Sequence, residues 1–198
     1  MITSEKTCKF DIILASQSPR RRELLALADI KFRVEARPTN EAFPQGIQPV
    51  EVAHYLCNQK MDSYSEELKS DHCVVITADT IVVIDGEIIN KPANFEEAKI
   101  MLRLLSGRTH EVITGVCIGH NGQRLTLEDH AFVSFKDFSD QELDYYINKY
   151  QPYDKAGSYG VQEWIGVVGI TRIEGTYANV MGLPIHKVCE GLKQVLGL

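Results

Sequence analysis

The period of apolar and polar positions changes repeatedly along this chain, and each change marks an element. Residues 11–15, "DIILA", form a short apolar run that reads as a buried strand. Helical spacing follows at once: Ser18 suits an N-cap, Pro19 the first helical position, and Leu24, Leu25 and Ala28 share one stripe. Residues 37–48, with Pro38, Pro44 and Gly46, have no period and read as a loop. A helix is expected over residues 49–64, with Ala53, Leu56 and Cys57 on its apolar face. "CVVITADTIVVIDGEIINKP" then predicts a strand, a turn at Asp85-Gly86 and a second strand. Asn94, with Glu97 three residues on, opens a helix that stops near Gly107 and turns Ala98, Met101, Leu102 and Leu105 inward. Residues 109–136 alternate like a long hairpin around Asn121-Gly122. "SDQE" at Ser139 is a capping box, and the helix behind it carries Leu143, Tyr146, Ile147 and Tyr150 on one face. Residues 156–181 are glycine-rich and strand-like, and a helix from about Pro184 closes the chain.

Strands alternating with helices and interrupted by hairpins predict a mixed α/β sheet rather than a purely parallel one. No repeat, low-complexity tract or linker divides the 198 residues, so residues 1–198 are expected to form one domain, or two lobes sharing a core.

A formal net charge of -6 argues against a long nucleic-acid partner, which requires a broad basic surface. The five cysteines are scattered without a Cys-x-x-Cys pair and read mostly as free thiols filling a core in a reducing compartment. The six histidines show no metal-binding spacing. No apolar run reaches the ~18 residues of a membrane span, and "MITSEKTCKF" lacks the profile of a signal peptide, so cytoplasmic residence is the expectation.

Candidate chemistry lies where local rules are broken. Arg20, Arg21 and Arg22 occupy the first turn of the helix behind Ser18, where each cation opposes the helix dipole by ~0.3–1 kcal/mol. They are either solvated or part of an anion site that combines helix N–H groups with guanidinium forks. Asp79 interrupts an apolar, β-branched run with no turn near it, so it is either bonded to backbone amides or works as a metal ligand or general base. Lys60 continues the apolar stripe of its helix, so its ammonium either snorkels to solvent or points into a site. Lys91 at a strand end and Lys155 in "YDKAGSYG" add two more cations. Gln162 offers a donor and an acceptor behind the glycines of that loop, and Glu41 sits in a loop between prolines. P-loop, dinucleotide-binding and serine-hydrolase motifs are absent. Several cations, one or two carboxylates and an amide suit metal-assisted hydrolysis of a phosphoanhydride.

"LASQSPRRRELL", "TNE", "ADTIVVIDGEIINKP", "LSGRTHEVITGV", "YDKAGSYGVQ" and "GTYANVMGLP" together resemble the Maf family of nucleoside triphosphate pyrophosphatases, in the same order and from about residue 12 to 188. The resemblance implies one Maf-like domain, with a mixed, elongated β-sheet and flanking helices forming two lobes around a deep cleft, related to the inosine triphosphate pyrophosphatases. It implies cytoplasmic cleavage of a nucleoside triphosphate to monophosphate and pyrophosphate with a divalent cation, Mg²⁺ or Mn²⁺. By motif, Asp79 matches the family's proton acceptor. Ser16, Arg20, Arg21, Glu41, Lys60, Lys91, Asp154 and Lys155 fall at cleft positions. Of these, Ser16, Arg21, Lys60, Lys91 and Lys155 are expected on phosphate, and Glu41 with Asp79 on the metal. Arg20, Thr80 and Gln162 are the set of the branch resembling dTTP/UTP pyrophosphatases, whereas the 7-methyl-GTP branch has tryptophan, glutamine and glutamate there. Cys57-Asn58-Gln59 ahead of Lys60, and Trp164 after Gln162, depart from the usual pattern. A pyrophosphatase of another specificity and a nucleotide-sensing regulator of cell division are the competing readings, and a homodimer is compatible with either.

Overall fold

The computed structural model describes residues 4–198; the first three residues of the amino-terminal stretch read above for a signal lie outside it. A short helix α1 (Ser4–Thr7) precedes strand β1 (Asp11–Leu14), whose Ile12, Ile13 and Leu14 are buried. Helix α2 (Pro19–Leu27) starts as expected, with the Ser18 hydroxyl accepting from the Arg21 N–H. After β2 (Arg33–Val34) and the irregular loop, α3 (Pro49–Asp62) is capped by the Glu51 carboxylate, which accepts from the Gln48 N–H at 2.8 Å. Strands β3 (Cys73–Ile84) and β4 (Glu87–Ile89) join through Asp85-Gly86. Helix α4 (Phe95–Leu105) is followed by the long strands β5 (Thr109–His120) and β6 (Gln123–Phe135), joined through Asn121-Gly122. All four turn residues have positive φ, the conformation that two-residue hairpin loops require and that Asp, Asn and Gly tolerate. Helix α5 (Asp140–Tyr150) has the Ser139/Glu142 capping box. Helix α6 (Trp164–Gly169), strand β7 (Ile170–Glu174), helix α7 (Tyr177–Met181) and helix α8 (Ile185–Leu196) complete the chain.

Among the described residues seven strands form a mixed sheet in the order β2-β1-β3-β5-β6-β7, with β4 attached to β3. Strand β1 runs parallel to β2 and β3, whereas β4 is antiparallel to β3 and β7 to β6. The mixed α/β expectation therefore holds. No helix among the described residues is long and apolar enough to cross a membrane.

The chain forms two compact units. The first holds the residues up to Asp79 together with Thr114–Asp129 and Gly182–Leu198. Its core gathers Ile13, Cys57, Met61, Tyr64, Leu68, Val75 and Cys117, drawn from β1, α3, β3, β5 and the turn after α3. The second holds Thr80–Ile113 and His130–Met181. There α4 packs on α5, burying Ala98, Leu102, Leu105, Leu143, Tyr146 and Ile147.

Residues 156–181 depart from the strand-like reading. They form a 3₁₀ turn (Ala156–Ser158), α6, β7 and α7, so only residues 170–174 are strand. Apolar runs of four to six residues are too short for periodicity to separate helix from strand, and local capping decides: the Thr176 hydroxyl accepts from the Asn179 N–H at 3.1 Å and starts α7. Met101 is half-buried rather than fully inward, and Cys8 is exposed, while Cys57, Cys73 and Cys117 are core thiols as expected.

Candidate active site

In the first unit, three elements bring charged groups together. Asp79 stands on β3 directly after buried Ala78. The Lys60 ammonium, in the last turn of α3, donates to Asp79 Oδ1 in a tight ion pair and lies 3.3 Å from Glu41 Oε1. The stripe-breaking lysine thus points into a carboxylate pair instead of snorkelling away, and its place at the helix C-terminus also suits the dipole. Register between the two elements is held one turn earlier, where the buried Thr77 hydroxyl donates to the Cys57 carbonyl at 2.7 Å. Glu41 arrives from the irregular loop and stays exposed.

The arginine turn divides its labour. Arg21 is half-buried: its Nε donates to the Gly182 carbonyl at 2.7 Å and Nη1 to the Ala78 carbonyl at 2.8 Å. The second bond fixes the guanidinium beside the residue before Asp79. Burial lowers the Arg21 pKa, and the negative charge of Asp79 works against that shift; a guanidinium remains cationic throughout. Ser16 is buried, and its hydroxyl accepts from the Ser18 N–H at 3.2 Å and from Arg21 Nη1 at 3.4 Å, so it shapes the turn that presents the arginines. Arg20 is half-buried and Arg22 exposed, as a solvated residue would be. Four of the expected residues (Arg21, Lys60, Asp79 and Glu41) are therefore linked by shared partners or by adjacency to Ala78, with Ser16 supporting them.

The second unit holds the rest. Thr80, next after Asp79 on β3, is half-buried, and Lys91 is exposed just after β4. The backbone of Asn90, its neighbour, accepts from the Gly157 N–H at 3.2 Å, tying that loop to the 3₁₀ turn. Lys155, expected on phosphate, is buried, with its ammonium 2.6 Å from Asp154 Oδ1 and 3.1 Å from Glu163 Oε1. Gln162 is exposed at the residue before the α6 N-cap. Sequence reasoning missed Glu163, which also accepts from the Tyr146 hydroxyl. An acidic residue next to a candidate amide reader in a glycine-containing loop was its only signal.

Comparison with known proteins adds an independent line. The family model described as Maf-like protein matches residues 11–195. A dTTP/UTP pyrophosphatase of Porphyromonas gingivalis is 50% identical over 187 residues, covering 93% of this chain and 94% of its own. Those of Phocaeicola vulgatus and Flavobacterium johnsoniae are 46% and 44% identical over 188 residues each, covering 94% and 95% of this chain and 97% and 96% of their own. Among solved structures, the Staphylococcus aureus Ham1 protein shares 13% identity at a TM-score of 0.45, over 64% of this chain and 72% of its own, too distant a likeness to assign anything. With a family model spanning nearly its whole length and relatives at this identity, the chain belongs to the Maf family.

Proposed function

We propose that this chain hydrolyses dTTP and UTP to the monophosphate and pyrophosphate. The observation that carries the reading is the Asp79–Lys60–Glu41 cluster beside the anchored Arg21: a carboxylate able to take a proton, set among cations able to face phosphate. Relatives named dTTP/UTP pyrophosphatase over the same length support the substrate.

Release of pyrophosphate requires water to attack the α-phosphorus. The new P–O bond forms there, the bond from the α-phosphorus to the bridging oxygen breaks, and pyrophosphate departs with that oxygen. Asp79 takes the proton that the water loses, a role worth ~10²–10⁴ in rate. Lys60 holds the Asp79 carboxylate in one orientation. Arg21, with Arg20 and Lys91, offsets phosphate charge, which is where most catalysis of phosphoryl chemistry originates. Gln162 reads the base: its amide donates to a uracil carbonyl and accepts from N3–H, while Arg20 and Thr80 complete the set that distinguishes the branch. All five cysteines are free, which fits residence in the reducing cytoplasm.

Among the described residues no group of three or more His, Cys, Asp or Glu side chains could hold a metal ion. The residues present nonetheless fit a Mg²⁺ or Mn²⁺ shared with substrate. Glu41 and Asp79 both pair with the Lys60 ammonium and offer hard oxygen donors, and such ions commonly take one or two carboxylates plus phosphate and water. When bound, the ion would supply charge neutralisation at the phosphates. Activity is therefore expected to vanish in EDTA and return with excess Mg²⁺ or Mn²⁺; full turnover in EDTA would contradict this assignment.

Arg21 offers a test of the anion site. Arg21→Lys keeps the charge but loses the fork that grips the Gly182 and Ala78 carbonyls. It is expected to raise KM for UTP and GTP by the same factor, about tenfold or more, because phosphate is common to both. Steady-state kinetics on the two substrates checks this, and a loss confined to one nucleotide would place Arg21 on the base instead.

A further inference from the structure

Gln162 is exposed, yet the chain on either side of it is pinned. Two residues earlier, the Gly160 N–H donates to the Tyr146 hydroxyl oxygen at 3.1 Å. One residue later, Glu163 Oε2 accepts from that same hydroxyl, and Glu163 Oε1 pairs with Lys155. Next along, Trp164 meets Tyr145 edge-on, with ring centroids 5.0 Å apart. Consecutive tyrosines of α5 thus grip the segment that carries Gln162. Glycine at position 160 makes this possible, since a Cβ there would lie 2.7 Å from the Glu163 carboxyl carbon.

Tyr146 is fully buried, the Lys155 side chain is 8% exposed and that of Glu163 is 16% exposed. Burial, followed by the Glu163 hydrogen bond, pushes the Tyr146 hydroxyl far above its ordinary range, so it stays a donor. A buried ion pair rarely stabilises a fold more than apolar residues of the same volume would. This one, with the Tyr146 hydroxyl, ties Gly160 and Glu163 on either side of Gln162.

We infer that Tyr146 and Lys155, acting through Glu163, are positioning residues for Gln162, fixing the backbone that presents its amide and thereby setting discrimination between pyrimidine and purine triphosphates. The inference rests on Gln162 reading the base. It also gives Lys155 a role at the base end of the substrate rather than at phosphate.

The test is the ratio of kcat/KM for UTP to that for GTP in the full chain, in the parent, Gln162→Ala, Tyr146→Phe and the double variant. Tyr146→Phe is expected to lower the ratio about tenfold, the weight of one buried hydrogen bond, through a higher KM for UTP with GTP kinetics unchanged. In the Gln162→Ala background the same change should leave the ratio where Gln162→Ala alone put it, because the effect passes through Gln162. Glu163→Gln, which keeps the volume but weakens the pair with Lys155, should shift the ratio in the same direction and stands in if Tyr146→Phe does not fold. An unchanged ratio in a folded Tyr146→Phe or Glu163→Gln protein overturns the inference. So does an equal loss with and without Gln162, which would mark a merely structural tyrosine. If Gln162→Ala itself keeps the parent ratio, the base-reading role fails and the inference with it, a result visible without any Tyr146 variant.

Discussion

Asp79→Asn is expected to lower kcat for UTP by ~10²–10⁴ without raising KM. The amide fills the same volume on β3 but cannot accept a proton from water. Lys60 retains Glu41 as a partner, so the ammonium is not stranded. The sign of the KM effect is informative. Removing a negative charge beside Lys60 and Arg21 leaves those cations more attractive to phosphate, so KM holds or falls. Kinetics at saturating divalent cation, with circular dichroism to confirm the fold, checks both halves. A variant with parental kcat would make Asp79 no more than an ion-pair partner of Lys60, and a large rise in KM with kcat intact would make it a binding group.

The second large effect concerns the base. UTP and dTTP are expected to exceed 7-methyl-GTP in kcat/KM by on the order of a hundredfold, the consequence of leaving two hydrogen-bonding groups unmatched once the bound base covers them, at ~1–3 kcal/mol each. Gln162→Glu replaces the amide donor with a second acceptor. It should therefore reduce turnover of UTP, whose carbonyl loses its donor, more than that of 7-methyl-GTP. Parent and variant measured side by side on UTP, dTTP and 7-methyl-GTP decide the matter. A parent that already prefers 7-methyl-GTP would move the chain to the other branch of the family and leave the bond that is cleaved unaffected.

Local signals were the legible ones. Ser18, Asn94 and Ser139 cap their helices, and Asp85-Gly86 and Asn121-Gly122 turn their hairpins, because each effect is decided within about four residues. Lys60 and Asp79 were legible for a different reason: a charge that breaks an apolar pattern announces that something must compensate it. That the two compensate each other, with Glu41 as a second partner of Lys60, was not legible. Glu41 sits in a loop without period, and its approach to Lys60 depends on how that loop closes in three dimensions. The same holds for Glu163, whose partner Tyr146 read as one more aromatic on a core face. Lys155 shows the limit from the other side. A lysine in a glycine-containing turn resembles a phosphate ligand, and only the tertiary placement of Glu163 puts its ammonium inside the protein. Residues 156–181 were misread because three short apolar segments carry too few residues to define a period.

The central claim is that water attacks the α-phosphorus and releases pyrophosphate, and the most direct measurement follows the products of UTP in water enriched in the heavy oxygen isotope. Phosphorus NMR with Mg²⁺ or Mn²⁺ present should show UMP and pyrophosphate rising in equal amounts, with the heavy oxygen on the UMP phosphate. UDP and orthophosphate as first products, or heavy oxygen in the pyrophosphate, would contradict the account.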